Sequence, residues 1–91
     1  MDWLKNQTWI LDGNDVSDRA SLHAHLKEAM NLPEYYGGNL DALYDCLSEV
    51  TGTLYVYHTA AIRRNLGAYA ERFLTVLKDS DSEYFHAVVT D

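Results

Sequence analysis

The fold is decided by residues 32–47, LPEYYGGNLDALYDCL, in which one helix ends and the next begins. Pro33 disfavours the helical conformation for the residue before it, so a preceding helix has to end there. Residues 35–38 then form an aromatic and glycine-rich turn, and Asn39 is a residue type that caps the N-terminus of a helix. The stretch therefore predicts a helix, a rigid turn, and a second helix over about residues 40–50.

The segments on either side of this stretch alternate between strand-like and helix-like patterns. Runs rich in β-branched and aromatic residues are typical of strands, and apolar residues at spacings of three and four are typical of amphipathic helices. The predicted strands cover residues 8–11, 53–58 and 84–90, and the predicted helices cover about 18–30 (capped by Ser17 or Asp18), 40–50, 60–65 and 66–79. This order favours an α/β fold, a three-stranded parallel sheet packed with three to four helices.

The size and charge of the chain limit its function class. Its 91 residues, 47% of them hydrophobic, suit a single domain with one core, which we expect to cover residues 1–91. The formal net charge of −7 argues against nucleic acid and anionic membranes as partners. Cys46 is the only cysteine, so no internal disulfide forms and a reducing compartment fits. Because the sequence shows no signal-peptide or membrane-spanning pattern, we expect a cytoplasmic protein.

The acidic residues are concentrated in the middle of the chain. Between residues 28 and 62 there is no Lys or Arg, but there are five carboxylates: Glu28, Glu34, Asp41, Asp45 and Glu49. At about 100° per residue, one face of the predicted second helix is apolar and carries Leu40, Leu43, Cys46, Leu47 and Val50. Asp41, Asp45 and Glu49, each four residues from the next, form a separate acidic arc, with Tyr44 on the border.

Two interpretations of this acidic arc are open from the sequence. An acidic helix face is often only a solvated surface. However, like charges four residues apart cost an isolated helix about 0.2–0.5 kcal/mol per pair, and no nearby Lys or Arg offsets them. The flanking Tyr35, Tyr36 and Tyr44 are of a residue type that favours contact surfaces, so a binding site for a basic protein is the second interpretation.

Catalytic and metal-binding interpretations have weaker support. Two carboxylates on one outward helix face lack the cleft that glycoside hydrolysis needs, and no further ligand accompanies Asp41 and Asp45 for a divalent metal. His23 and His25 point to different sides of a helix, and Cys46 lies on the apolar arc, where an inert core thiol is expected. We therefore expect no enzyme, no cofactor and no metal site, with a small hydrolase using Asp41 and Asp45 as the third hypothesis.

The central stretch also resembles a known family. Residues 32–37, 39–43 and 45–47 (LPEYYG, NLDAL and DCL) together resemble the core motif of the barstar family, intracellular inhibitors of secreted barnase-like ribonucleases. Residues 10–13 and 22–27 are similar to the family's first strand and first helix, and the second half of the chain matches only in its pattern of elements. The resemblance implies a three-stranded parallel sheet packed with helices, in agreement with the order of elements above.

The resemblance also implies a binding mode. The second helix and its leading turn would plug a ribonuclease active site, with Asp45 at the substrate phosphate position and Asp41 at the rim. Tyr35 would pack on a catalytic histidine, Gly37 would let the backbone approach closely, and Asp79 would form an outlying acidic contact. The implied partner-binding residues are Tyr35, Gly37, Gly38, Asn39, Asp41, Ala42, Tyr44, Asp45, Glu49, Asp79 and Glu83.

Three positions depart from the best-known members of the family. Tyr44 and Val50 stand where those members have tryptophan, and Gly38 replaces a glutamate. These changes concern the contact surface, so they bear on which nuclease is bound. We expect a protein that is monomeric when free and acts as an immunity protein against a barnase-like ribonuclease or a nuclease toxin. The alternative is a non-inhibitory acidic adaptor for another basic protein.

Overall fold

The structure, a computed structural model, describes residues 7–91. Residues 1–6, which the predicted single domain includes, lie outside the described residues. The described part contains the strands β1 (Gln7–Asp12), β2 (Gly52–Tyr57) and β3 (Phe85–Val89). Its α-helices are α1 (Arg19–Met30), α2 (Leu40–Leu47), α3 (Thr59–Leu66) and α4 (Ala68–Ser80), and a 3-10 turn covers Gly13–Asp15.

The three strands form one parallel sheet in the order β1-β2-β3. The central strand is β2, in which Leu54 is the register partner of Trp9 on one side and of Ala87 on the other. Parallel neighbours require crossover connections, which α1 and α2 supply between β1 and β2, and α3 and α4 supply between β2 and β3. The predicted α/β class, with three parallel strands and helices packed on them, is confirmed.

The core lies between one face of the sheet and the helices. Trp9, Leu11, Leu54 and Val56 are buried and alternate along their strands with residues that are exposed or half-buried. The helices complete this core with Leu22, Leu26, Leu43, Leu47, Phe73 and Leu77. Because Leu43 and Leu47 point into the core, the opposite side of α2 is directed outward.

The other face of the sheet is partly open. Ile10, Tyr57 and Val88 are 58%, 39% and 40% exposed. Tyr55 stacks on Tyr57 with the ring centroids 6.3 Å apart. Parallel sheets usually carry helices on both faces. This sheet, over the part of the chain that the structure describes, packs its helices against one face.

The second helix is shorter than predicted. It ends at Leu47 rather than near Val50, and Ser48 is its C-terminal cap residue. The Ser48 hydroxyl donates a hydrogen bond to the backbone carbonyl of Asp45 at 2.6 Å, a local bond that competes with helix continuation. The next amide, that of Glu49, bonds to the carbonyl three residues earlier, as in a tight last turn.

The other predicted elements agree with the structure to within two residues at each end. The largest difference is the start of α4 at Ala68 rather than Leu66, because Gly67, with φ of 57°, separates α3 from α4. Within residues 7–91, no helix combines the length and the apolar character that crossing a membrane requires.

Candidate protein-interaction site

The turn before α2 is fixed by its own hydrogen bonds. The Tyr36 amide donates to the Pro33 carbonyl at 2.9 Å, and the Asn39 side-chain oxygen accepts a hydrogen bond from the Ala42 amide at 2.8 Å. Asn39 is thus the N-cap of α2, as predicted. Gly38 has φ of 66°, a conformation that strongly favours glycine, whereas Gly37 does not have a positive φ. The turn therefore depends on the second glycine for its shape.

The turn is also tied to the core through Tyr36. Its hydroxyl lies 2.5 Å from Nδ1 of His23, and Nε2 of the same ring lies 2.7 Å from the hydroxyl of Tyr69. His23 and Tyr69 are buried, at 5% and 8% exposure, and Tyr36 is half-buried. This Tyr36–His23–Tyr69 chain joins the turn to α1 and α4, so the start of α2 is held against both helices.

Burial favours the uncharged forms of His23 and Tyr36. Burial lowers the pKa of His23 below its usual 6.5. Burial, with smaller contributions from Cys46 and Tyr69, raises the pKa of the Tyr36 hydroxyl above its usual range. A neutral imidazole has one N–H donor and one acceptor nitrogen, so one tyrosine hydroxyl donates to the ring and the other accepts from it.

The outward side of α2 and its turn is acidic and aromatic. Tyr35 is 83% exposed and Tyr44 is 48% exposed, and Asp41 and Asp45 are both exposed. Within residues 7–91, the ion pairs at 4.0 Å or less do not include Asp41, Asp45 or Glu49. The last turn of α2 also contains no basic residue. The carboxylates of this surface are therefore uncompensated in the described part of the chain.

The predicted arc of three carboxylates is wrong in one respect. Asp41 and Asp45 lie four residues apart on α2, but Glu49 follows the end of the helix at Leu47. Glu49 is exposed, yet its position is not set by the helical repeat. The continuous helical acidic surface is therefore Asp41 and Asp45, which we call the acidic pair.

The predicted apolar arc is buried only in part. Leu43 and Leu47 are fully buried, whereas Leu40, Cys46 and Val50 are half-buried. Burial, followed by the charges of Glu49 and Asp45, raises the pKa of the Cys46 thiol. The thiol is therefore kept protonated and is not an activated nucleophile, although it is less buried than a core position would be.

The outlying acids predicted from the second half of the chain occupy different places. Asp79, at the end of α4, lines a cavity of about 320 Å³ together with Tyr44, Ser48 and Val50. The fold thus brings Asp79 next to the C-terminal end of α2. Glu83 is exposed and lines another cavity, with Thr51, Gly52 and His86 among its neighbours.

The sequence did not predict the buried histidine contact. The pattern of α1 places His23 next to Leu22 on a buried face, but its partners lie 13 and 46 residues away in the sequence. The sequence does contain a related signal: His23 is a polar residue on the apolar face of a helix, and tyrosines follow it. A buried tyrosine hydroxyl usually has a hydrogen-bond partner. No cluster of three or more His, Cys, Asp or Glu side chains placed to hold a metal ion occurs within residues 7–91.

The fold and this surface together define a class of protein. An exposed acidic pair on a short helix, flanked by exposed tyrosines and fixed by a buried hydrogen-bond chain, has the composition and rigidity of a site that binds a basic protein. Comparison with known proteins gives the family. The family model of Barstar (barnase inhibitor) matches residues 6–89, so the chain belongs to the barstar family.

A curated relative supports the same assignment. The chain is 38% identical over 77 residues to a protein of Bacillus subtilis (strain 168) named "Putative ribonuclease inhibitor YrdF". The alignment covers 81% of this chain and 85% of the relative. The similarity therefore extends over most of both proteins.

Proposed function

We propose that this protein inhibits a small microbial ribonuclease, or the nuclease domain of a larger toxin, by covering its active site with α2 and the preceding turn. The observation that supports the proposal is the uncompensated acidic pair on the outward side of α2. Membership of the barstar family and the name of the Bacillus relative support it independently. The proposal assigns the chain a binding role and no catalytic residue.

The physical basis is charge complementarity. A ribonuclease has to bind and cleave a phosphodiester, so cationic groups are concentrated in its active site. Carboxylates presented there occupy the position of the substrate's own negative charge. We propose Asp45 as the central contact, Asp41 at the rim, and Asp79 as an outlying contact beside Tyr44.

The rigid turn contributes to affinity by lowering the cost of ordering. Association orders loops and side chains, and each rotamer-rich side chain that is immobilised costs about 0.5–1.5 kcal/mol. Asn39, Gly38 and the Tyr36–His23 contact fix the turn before binding. Tyr35, in the turn, and Tyr44, on α2, are exposed and offer aromatic contact area to a partner.

The net charge of −7 adds a kinetic advantage. Opposite net charges on inhibitor and nuclease raise the association rate, and salt reduces this effect. Fast capture protects cellular RNA before the nuclease acts. We further propose that the free protein is a monomer and acts in a reducing compartment, the cytoplasm, which suits its single cysteine Cys46.

The decisive experiment is inhibition by Asp45→Ala. Removing one partner of a buried charge pair costs about 2–5 kcal/mol, a range that draws on measurements of barnase–barstar complexes themselves, so we expect inhibition to weaken by about 30-fold or more. The control is Asp15→Ala, which removes the same charge from an exposed position in the 3-10 turn. If Asp45→Ala inhibits as well as the wild type, the proposed binding mode is wrong.

A screen against several purified ribonucleases tests the class of function. We expect inhibition of at least one, with a slower association rate as salt is raised. The absence of any inhibition, together with a stable complex with a basic protein that is not a nuclease, would favour the adaptor hypothesis.

A further inference from the structure

A second charged surface lies beside the acidic pair and has the opposite sign. The guanidinium carbon of Arg19, on α1, lies 4.3 Å from the centroid of the Tyr69 ring, and that of Arg72, on α4, lies 5.3 Å from it. The hydroxyl of the same tyrosine is bound to the buried His23. Two cations are thus placed on one ring whose position is fixed by the core.

Unlike Lys27 and Arg63, these two arginines have no carboxylate at ion-pair distance within residues 7–91. Arg63 lies 2.8 Å from Glu71 and 3.7 Å from Asp91. The chain has 14 acidic and 7 basic residues, so Arg19 and Arg72 remain without an ion pair although carboxylates are abundant.

The two arginines line an open groove of about 800 Å³ between α1, α4 and the start of α2. Its wall on the α2 side contains Gly38, Asn39 and Asp41. The groove therefore continues directly from the proposed inhibitory surface, and a partner seated on α2 would cover it. It also has cations on one wall and a carboxylate on the other.

We propose that this groove binds a carboxylate side chain, an Asp or Glu, of the nuclease. The planar fork of an arginine suits a carboxylate, which it binds through two parallel hydrogen bonds. A nuclease segment that carries an acid next to its cationic site matches both walls, because the acid faces the arginines and the cations face Asp41. Carboxylates are common among the groups that transfer protons in active sites, so such a neighbour is expected there. The inference rests on the proposed inhibitory function.

The experiment separates an effect on the association rate from an effect on the dissociation rate. Arg19→Gln and Arg72→Gln make an already acidic inhibitor more acidic, so long-range attraction to a basic nuclease becomes stronger and association somewhat faster. Loss of a direct contact with a carboxylate instead accelerates dissociation. Because a hydrogen bond to a charged group contributes about 1.5–3 kcal/mol, we expect each variant to raise the dissociation rate about tenfold or more.

The matched control is Arg64→Gln. Arg64 is exposed on α3, and no carboxylate within residues 7–91 lies at ion-pair distance from it. Its replacement changes the net charge by the same amount, so we expect faster association and an unchanged dissociation rate. Arg72→Lys keeps the charge but loses the fork, and we expect an intermediate dissociation rate. Far-UV circular dichroism and thermal unfolding of each variant confirm that the fold is retained.

The outcomes separate this inference from the proposed function. The inference is supported if dissociation is faster for the Arg19 and Arg72 variants but not for the Arg64 variant, and if replacement of one nuclease carboxylate by alanine abolishes the difference. It is overturned if Asp45→Ala abolishes inhibition while both glutamine variants dissociate as slowly as the wild type. It also falls, together with the proposed function, if the wild type inhibits no ribonuclease.

Discussion

Replacing Tyr36 by Phe removes one hydroxyl and leaves the ring in place. The hydroxyl is the partner of His23 Nδ1 at 2.5 Å, and the ring is half-buried against the core. After the substitution, one nitrogen of a buried imidazole has no partner among the described residues. The change therefore tests whether the Tyr36–His23–Tyr69 chain stabilises the turn before α2.

The expected loss of stability follows from the burial of His23. A typical hydrogen bond contributes about 0.5–1.5 kcal/mol net, and a buried polar group left unpaired costs about 1–3 kcal/mol. With His23 only 5% exposed, water cannot readily replace the lost hydroxyl. We therefore expect Tyr36→Phe to lower the free energy of unfolding by about 1–3 kcal/mol, and each kcal/mol corresponds to about 4–8 °C in Tm for a domain of this size.

Urea denaturation followed by tryptophan fluorescence and circular dichroism measures the effect. The control is Tyr35→Phe, which removes a hydroxyl from a side chain that is 83% exposed, and we expect a change within about 0.5 kcal/mol. Tyr69→Phe should cost a similar amount to Tyr36→Phe, because it leaves the other ring nitrogen unpaired. If Tyr36→Phe and Tyr69→Phe each lower the free energy of unfolding by less than about 0.5 kcal/mol, the structural role of the Tyr36–His23–Tyr69 contact is refuted.

Two further predictions concern the same region. Asn39→Ala removes the side-chain acceptor of the Ala42 amide, so we expect a loss of about 0.5–2 kcal/mol in urea denaturation, whereas Asn39→Asp should retain most of the stability. The lowered pKa of His23 means that the unfolded chain binds a proton more readily than the folded one as the pH falls below 6.5. The contribution of His23 to the free energy of unfolding should therefore be full above that pH and decrease below it, by no more than about 1.4 kcal/mol per pH unit. We expect His23→Gln to reduce the dependence of the free energy of unfolding on pH in this range. An unchanged dependence would contradict this assignment.

The features predicted correctly from the sequence are those with local causes. Asn39 caps a helix through a side-chain oxygen that accepts a hydrogen bond from the amide of Ala42. Helix α1 ends before Pro33, as predicted, but its last residue is Met30 and its C-cap is Asn31, which has φ of 52°. Strand positions followed from runs such as residues 53–58, because β-branched and aromatic residues favour strands, and the structure has β2 at Gly52–Tyr57. The alternation of strands and helices predicted a parallel sheet, the family resemblance implied the same arrangement, and the structure confirms it.

The features that were missed depend on contacts distant in sequence or on a single competing bond. The Tyr69 hydroxyl meets His23 across 46 residues, and no spacing rule reports such a pair. The early end of α2 depends on the Ser48 hydroxyl, which competes with a helical pattern that would continue to Val50. Asp79 lines the same cavity as Tyr44 only because α4 packs beside α2. Tertiary packing decides the first and the last of these features, and a local hydrogen bond accounts for the second.

The acidic pair also predicts a conflict between stability and function at Asp45. It lies in the last turn of α2, where the negative end of the helix dipole disfavours a carboxylate by about 0.3–1 kcal/mol, and the like charge of Asp41 adds about 0.2–0.5 kcal/mol. We therefore expect Asp45→Asn to raise the free energy of unfolding by about 0.5–1.5 kcal/mol in low salt, although it weakens inhibition.

Asp41→Asn is the matched comparison, because it removes the same repulsion but lies in the first turn, where the dipole favours a carboxylate. Its two contributions oppose each other, so its stability should change little. Urea denaturation of both variants at low and high salt measures the difference. If Asp45→Asn destabilises the free protein, the carboxylate has a role in folding, and weaker inhibition can no longer be attributed to a lost contact with the nuclease. If it stabilises the free protein, a carboxylate that opposes folding is retained at the centre of the proposed contact, which is the arrangement expected of a residue that acts on a partner.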